Sequence, residues 1–448
     1  MTRSYGLCFG FCLLAGLPVL PTRQGEFIFF HNNLINAESS LGEETGWARL
    51  KRFRLLLTNG YATFSPDRVT ALRQQGCQLF FYFWFNGFYA HEAQQPLPDG
   101  DWRREILQAH RDWLLNPDQP EQGGGAVKPA YFFDLTRPAL RQFLARVIAA
   151  HRQRTGYDGV FFDYAGSYAL PPAVLKRHQQ RYPNIAYDAA GAQFLRAVKA
   201  ADPGILIFTN QAHRAAQYLL PVTDIDADES VATSFLWGKE IKVFSAEAGW
   251  VNTRETFYRA WDGAHGIKAH YTDLAAKARR FNPRVRLVTI NYVKAFWEPT
   301  GQTVAHAGQP HPVCRRLPDR AAIFYGYVAA KLFGFDSYSS DWYDVGCYED
   351  EVFLIDLGRP RGTAPEEREG LVVRYYDNGF VALTKSERGG AFDVSSAHIP
   401  SDIKGLWDVY ERRWVADFPK QRRIQIQPTI YPISRSTYPS GRVYIYVR

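Results

Sequence analysis

Acidic and amide side chains recur at the ends of short apolar runs, and carboxylates placed there have the means to exchange protons with a bound substrate. Asp163 follows the run Val160, Phe161, Phe162, and Glu229 closes a more acidic run that also holds Asp224, Asp226 and Asp228. Asn59, Asn86, Asp134, Asn210, Asn291 with Tyr292, and Asp336 with Asp341 stand at comparable places. Two carboxylates facing each other across a sugar divide acid and nucleophile duties, the minimum equipment for opening a glycosidic bond. Asp163 and Glu229 are the pair best placed for it. An acid at the tip of a buried strand either faces a pocket or is badly desolvated; the alternative for Asp163 is to cap the next helix or pair with an arginine. Crowding among carboxylates should raise the Glu229 pKa toward that of a proton donor, with Asp226 or Asp228 as the alternative inward-pointing acid.

Asp134 and Asn210 suit substrate hydroxyls, accepting and donating in fixed geometry, and each has a loop-cap alternative. Trp84, Tyr89, Trp113, Tyr164, Trp237, Tyr292, Trp297 and Trp342 fall at or after strand ends, where their faces can stack on pyranose rings or pack a core. Trp84, Tyr164, Tyr292 and Asp341 join Asp134 and Asn210 as candidate substrate contacts. His265, His270, His306 and His311 form no HExxH or comparable helical pair, no cysteines have zinc spacing, and no GxSxG surrounds a serine. The chemistry expected therefore uses no metal and no cofactor.

Positioning such residues requires repeated αβ units. Thr136 and Pro138 open a helix with apolar residues at 140, 143, 144, 147 and 148, Gly156 stops it, and the run 160–164 follows as a strand buried on both faces. The same order recurs at 65–84 and at 192–210. Further strands are expected at 53–58, 131–134, 224–229, 285–291 and 335–339, making eight. That count favours a (β/α)8 barrel, whose active site lies at the C-terminal strand ends, over a doubly wound sheet, for which no Gly-rich dinucleotide fingerprint is present. Residues 91–125 form a long excursion between the second and third expected strands, and Gly123 to Gly125 lack the Lys-Ser/Thr of a phosphate loop. After about residue 356 a hairpin signal at 371–383 and alternating runs at 423–427 and 442–447 predict a C-terminal antiparallel β-sandwich-like domain. The boundaries expected are 1–24 for a signal peptide, 25–355 for the barrel and 356–448 for the β domain.

The 448 residues are 46% hydrophobic and 15% aromatic, which excludes a disordered chain. A net charge of +8 comes from scattered basic residues, so solubility is expected and nucleic acid is not. Arg3 followed by Leu7, Phe9, Phe11, Leu13, Leu14 and Leu17 matches a secretory signal, too short for a transmembrane span and without a clean cleavage site; a buried first strand is the alternative. A periplasmic or secreted monomer is expected, with Cys314 and Cys347 as a possible bridge.

The string at 156–163, GYDGVFFD, preceded by Asp134-Leu135-Thr136-Arg137-Pro138, resembles a strand region of glycoside hydrolase barrels, among them endo-alpha-1,4-polygalactosaminidase-like proteins. The similarity extends to 113–118, 209–211 and 228–230 and spans most of residues 50–345. It implies Asp163 as nucleophile or base and Glu229 as proton donor, acting on a carbohydrate polymer, most simply by a retaining route. The long segment 230–280 departs from a plain member. A non-catalytic glycan-binding barrel, or an intracellular barrel enzyme for a small anionic substrate, remains as an alternative reading.

Overall fold

The computed structural model describes residues 18–29, 50–58, 64–94, 101–340 and 351–448. Eight parallel strands form one sheet: β1 (Gly25–Phe29), β2 (Phe53–Thr58), β3 (Gln78–Trp84), β4 (Gly159–Asp163), β5 (Leu206–Asn210), β6 (Ile225–Glu229), β7 (Arg286–Tyr292) and β8 (Asp336–Ser340). Each strand pairs with its successor, so the sheet winds steadily in one direction, as a (β/α)8 barrel does. The ends meet through a side chain: buried Glu26 of β1 accepts from Ser337 N of β8 at 3.1 Å and pairs with Lys331 Nζ at 2.5 Å.

Among the described residues the helices between strands include α1 (Pro66–Gln74), α2 (Pro138–Thr155), α3 (Tyr187–Ala201), α4 (Ile267–Phe281) and α5 (Arg320–Phe333). The expected stop of α2 is realised at Gly156, which adopts the left-handed φ of 72° and donates back to Arg152 O at 2.8 Å. Among the described residues no helix is long and apolar enough to cross a membrane.

One expected barrel strand is corrected. Residues 131–134 do not enter the barrel, because β3 pairs directly with β4 in the register Trp84↔Asp163. The segment Ala126–Phe132 instead joins Gly87–Tyr89 and Glu121–Gly123 in a small antiparallel sheet. Buried Asn116 occupies part of its other edge, accepting from Phe132 N at 2.8 Å and donating to Ala130 O at 3.0 Å. The missing barrel strand is β1. A short apolar run specifies burial but not the neighbour that supplies it. Just ahead of β1, Arg23 N donates to Leu354 O at 2.8 Å, and Asp356 N donates to Pro21 O at 2.9 Å, so residues 21–23 are part of the fold.

The long segment 230–280 contributes the hairpin Glu240–Ser245 and Gly249–Arg254, which joins a second hairpin, Ala295–His306 with Gln309–Pro318. Both follow barrel strands, β6 and β7, and together they make a four-stranded sheet beyond the strand ends. The C-terminal strands form a six-stranded sheet built around Leu371–Tyr376, Gly379–Thr384 and Gly441–Val447. Its residues alternate in destination. Val372, Val381, Leu383, Val443 and Ile445 belong to the barrel core, whereas Leu371, Val373, Tyr375, Phe380 and Ala382 meet Phe392, Ile424 and Ile426 of a second, two-stranded sheet. Close approach to α5 needs a glycine at 441, where a Cβ would lie 2.7 Å from Phe324 O.

Candidate active site

Inside the barrel, Phe80 of β3, Phe161 of β4 and Phe208 of β5 meet edge to face, at centroid distances of 5.4 Å (Phe80 with Phe208) and 4.9 Å (Phe161 with Phe208). Strand alternation places residues two further along on the same face. Above this aromatic floor stand Tyr82, Asp163 and Asn210, joined by Glu229 from β6 and Tyr292 from β7. The Asn210 amide joins the two acids: its Nδ2 donates to Asp163 Oδ1 at 2.9 Å and to Glu229 Oε2 at 2.5 Å. Tyr82 Oη and Tyr164 N, each at 2.8 Å, complete the donors to Asp163, and Tyr292 Oη donates to Glu229 Oε1. Laid end to end, the two Asn210 bonds reach no farther than the about 5.5 Å that separates the carboxyls of a retaining glycosidase pair.

Backbone conformation marks the same three strand tips. The residues directly after Asp163, Asn210 and Glu229 are Tyr164, Gln211 and Ser230, and all three adopt left-handed φ values, 55°, 64° and 63°. None is glycine, so each turn costs about 1 kcal/mol or more, retained because neighbouring structure fixes it. Gln211 N donates to Ala227 O at 2.8 Å and Ser230 N to Ile290 O at 2.8 Å, which ties each turn to the next strand.

The electrostatics separate the two acids from ordinary carboxyls. Burial first, and the charge of Asp163 second, push Glu229 up to about 7, against the lowering pull of Tyr292 and Asn210. Burial also raises Asp163, opposed by its donors Asn210, Tyr82 and Tyr164 N. Among the described residues no cation hydrogen-bonds to either acid, so the pair is relieved by taking up a proton.

The opposite face of β6 is arranged differently. Asp226 accepts from Thr209 Oγ1 at 2.8 Å, Ala212 N at 2.9 Å and His213 Nδ1 at 2.8 Å. Asp228 lies 3.5 Å from His213 Nε2 and 2.7 Å from His270 Nε2 of α4. Burial would raise Asp228, but His213 and then His270 hold it below the usual carboxylate range. Asp226 and Asp228 are thereby assigned to the helix side of the strand, and Glu229 is the inward acid.

Of the other expected contacts, Tyr164 is half-buried beside the acids, with its ring 6.0 Å from Trp84. Trp84 is buried between Tyr89, at 4.7 Å, and Tyr164, so it packs rather than offering an open platform, and its indole N–H is buried without a partner. Tyr292 is buried and orients Glu229. Asn210 sits between the acids, and its Oδ1 is buried and unpartnered. Asp134 is a correction: it is fully buried, accepts from Arg181 Nη1 at 3.0 Å, Tyr182 Oη at 2.8 Å and Thr136, and takes the structural cap alternative rather than reading substrate. Asp336 opens β8 and pairs with Arg286; Asn86 and Asn291 are buried in hydrogen bonds to loop backbone, Asn86 as donor and Asn291 as acceptor. Asp341, Asn59, Trp342 and Cys347 lie outside the described residues. Trp297 is buried in the four-stranded sheet, Trp113 stacks on His110 at 3.9 Å, and Trp237 is 57% exposed. Tyr82, His213 and the Asp228–His270 contact were not anticipated. For Tyr82 the signal was available, since 80, 82 and 84 share one face of a strand that ends at Trp84.

No protein-family model matches the chain, and no curated protein sequence matches it. Solved structures similar to it include the glycoside hydrolase domain of PelA from Pseudomonas aeruginosa, 18% identical over 73% of this chain and 98% of that one, with a TM-score of 0.43. An alpha-amylase from Geobacillus thermoleovorans in complex with acarbose is 11% identical over 94% and 97% of the two chains, TM-score 0.45. A maltogenic alpha-amylase from Thermotoga neapolitana is 10% identical over 94% and 98%, TM-score 0.42.

Proposed function

We propose that this barrel is a glycoside hydrolase that cleaves O-glycosidic bonds of a polysaccharide by double displacement with retention. The observation that carries the proposal is the single Asn210 amide holding one oxygen of Asp163 and one of Glu229, at the strand ends where barrel enzymes do their chemistry. In the first step Asp163, ionised and steadied by Tyr82 and the Tyr164 amide, attacks the anomeric carbon while protonated Glu229 passes its proton to the departing oxygen. Glu229, now a carboxylate, then takes a proton from water as that water displaces Asp163, which restores both groups. The unpartnered Asn210 Oδ1 is suited to accept from a sugar hydroxyl, and Tyr164 supplies a ring beside the reacting centre. The narrower resemblance to endo-alpha-1,4-polygalactosaminidase-like proteins rests on the 156–163 string and belongs to this proposal. So does a periplasmic or secreted location for a monomeric enzyme.

The test is the release of new reducing ends from polysaccharides, with the anomeric form of the first product followed by NMR. Retention of configuration is expected. Inversion would remove the nucleophile role from Asp163, and retention on polymer without cleavage would make the protein a glycan-binding barrel.

A further inference from the structure

Behind the acid pair, on the helix side of β6, His213, Asp228 and His270 bring three donor atoms within 4.8 Å of one another. We propose that these residues bind one borderline divalent cation of the zinc type through His213 Nε2, an Asp228 oxygen and His270 Nε2. This goes beyond the glycosidase reading and does not depend on it.

Four observations support the site. The donor set is two imidazoles and one carboxylate, which suits zinc-like ions and poorly suits magnesium or calcium, whose preference is for oxygen. The spacing is close to what the ion requires: arms of about 2.0–2.1 Å place tetrahedral donors roughly 3.3 Å apart. His213 Nε2 stands 3.5 Å from Asp228 Oδ1 and His270 Nε2 2.7 Å from Oδ2, the three donor atoms lie within 4.8 Å of one another, and the partly exposed His270 side chain has to shift for one oxygen to share an ion with both imidazoles. The inner histidine is oriented from behind, because Asp226 takes His213 Nδ1 at 2.8 Å and so turns Nε2 toward the site. Carboxylates of this kind hold metal-bound histidines in the correct tautomer. Finally, the site has an entrance. His213 and Asp228 are buried, but the His270 side chain on α4 is 35% exposed, so an ion can arrive from solvent, and a water can complete the shell on that side.

The role that follows is a clip. His213 lies three residues after Asn210, Asp228 directly precedes Glu229, and His270 belongs to α4, so one ion would join two strand tips of the catalytic layer to the helix that covers them. It is not positioned to touch a substrate, since Asp228 points to the opposite face of β6 from Glu229.

The test uses the full chain, stripped with a chelator and titrated with zinc ion alone by calorimetry, with the first shell read by X-ray absorption. One equivalent bound, two imidazole nitrogens in the shell and a higher melting temperature are expected. H270A should weaken binding at least 100-fold and D226N about 10- to 100-fold. H270Q, which keeps a hydrogen-bonding group near Asp228, substitutes if the alanine variant folds poorly. His306 and His311, 5.8 Å apart on the second hairpin, are the competing histidines, and a doubly substituted H306A/H311A chain should bind as the parent does. No saturable binding, unchanged binding in the His270 variants, or loss of binding in the double variant would overturn the proposal.

Discussion

The two faces of β6 solve the same problem in opposite ways. Inward, Glu229 and Asp163 are held by neutral donors, Asn210, Tyr82 and Tyr292, and the outcome is a carboxyl raised to about 7. Outward, Asp228 is buried more deeply yet is held low, because His213 and His270 stand against it. Burial acts in the same direction on both acids; the partner decides the sign. A carboxyl stabilised by amides and phenols stays available for proton transfer, whereas one paired with imidazoles is committed to holding the structure.

The comparison breaks most completely at Asp163. Asp163→Asn should lower turnover by about three to five orders of magnitude while melting within a few degrees of the parent, because the lost group is the proposed nucleophile and is already short of solvation. Reducing-end assays beside thermal denaturation check this, and near-normal turnover would sink the assignment. On the other face the cost should appear in stability. Asp228→Asn leaves two histidines beside a neutral amide and should cost about 3–5 kcal/mol, measured by urea denaturation. A loss in activity with unchanged stability would reverse the roles given to the two faces.

A finer separation uses pH. The Glu229 pKa is higher in the folded chain, about 7, than its ordinary 4.5, so the folded state holds the extra proton between those values and stability falls as pH rises through that window. Below pH 4.5 the effect is absent. Glu229→Gln should therefore gain stability relative to the parent between pH 5 and pH 8, by about 1–3 kcal/mol once solvent access to the half-buried carboxyl is allowed for. The groups around it, Asp163, Tyr292, Asn210 and Asp228, are the ones that set this slope. Smallest is Tyr82→Phe. Removing that donor should raise Asp163 further, moving the acidic limb of the pH–rate profile upward by about one unit and lowering turnover roughly tenfold.

Much of this comparison is legible in the amino-acid sequence. The run 160–162 ending at Asp163 carries its own burial signal, and Glu229 follows from its place at the end of β6. What separates Glu229 from Asp226 and Asp228 is a period of two, which no composition of the acidic run reveals until its neighbours fix which face is inside. Asp134 misled for a related reason. It ends an apolar run as Asp163 does, but its strand pairs with two local segments, and the arginine and tyrosine that hold it come from residues 181 and 182. Asn210 was expected as a hydroxyl reader, and its bridging position depends on two neighbouring strands. The histidines behind β6 were invisible because the partners that share one carboxylate, residues 213 and 270, lie far apart in sequence.

The seam at Glu26 has a consequence for how the chain is made. Its partner amide at Ser337 lies 311 residues later, so at a synthesis rate of about 5–20 residues per second the first strand waits roughly 15–60 s with one edge open. Until then it presents an unpaired apolar ribbon, the kind of surface that invites pairing with other nascent chains. Ring closure in this protein thus has to wait for β8, and expression at low temperature should raise the soluble yield more than any substitution near the acid pair.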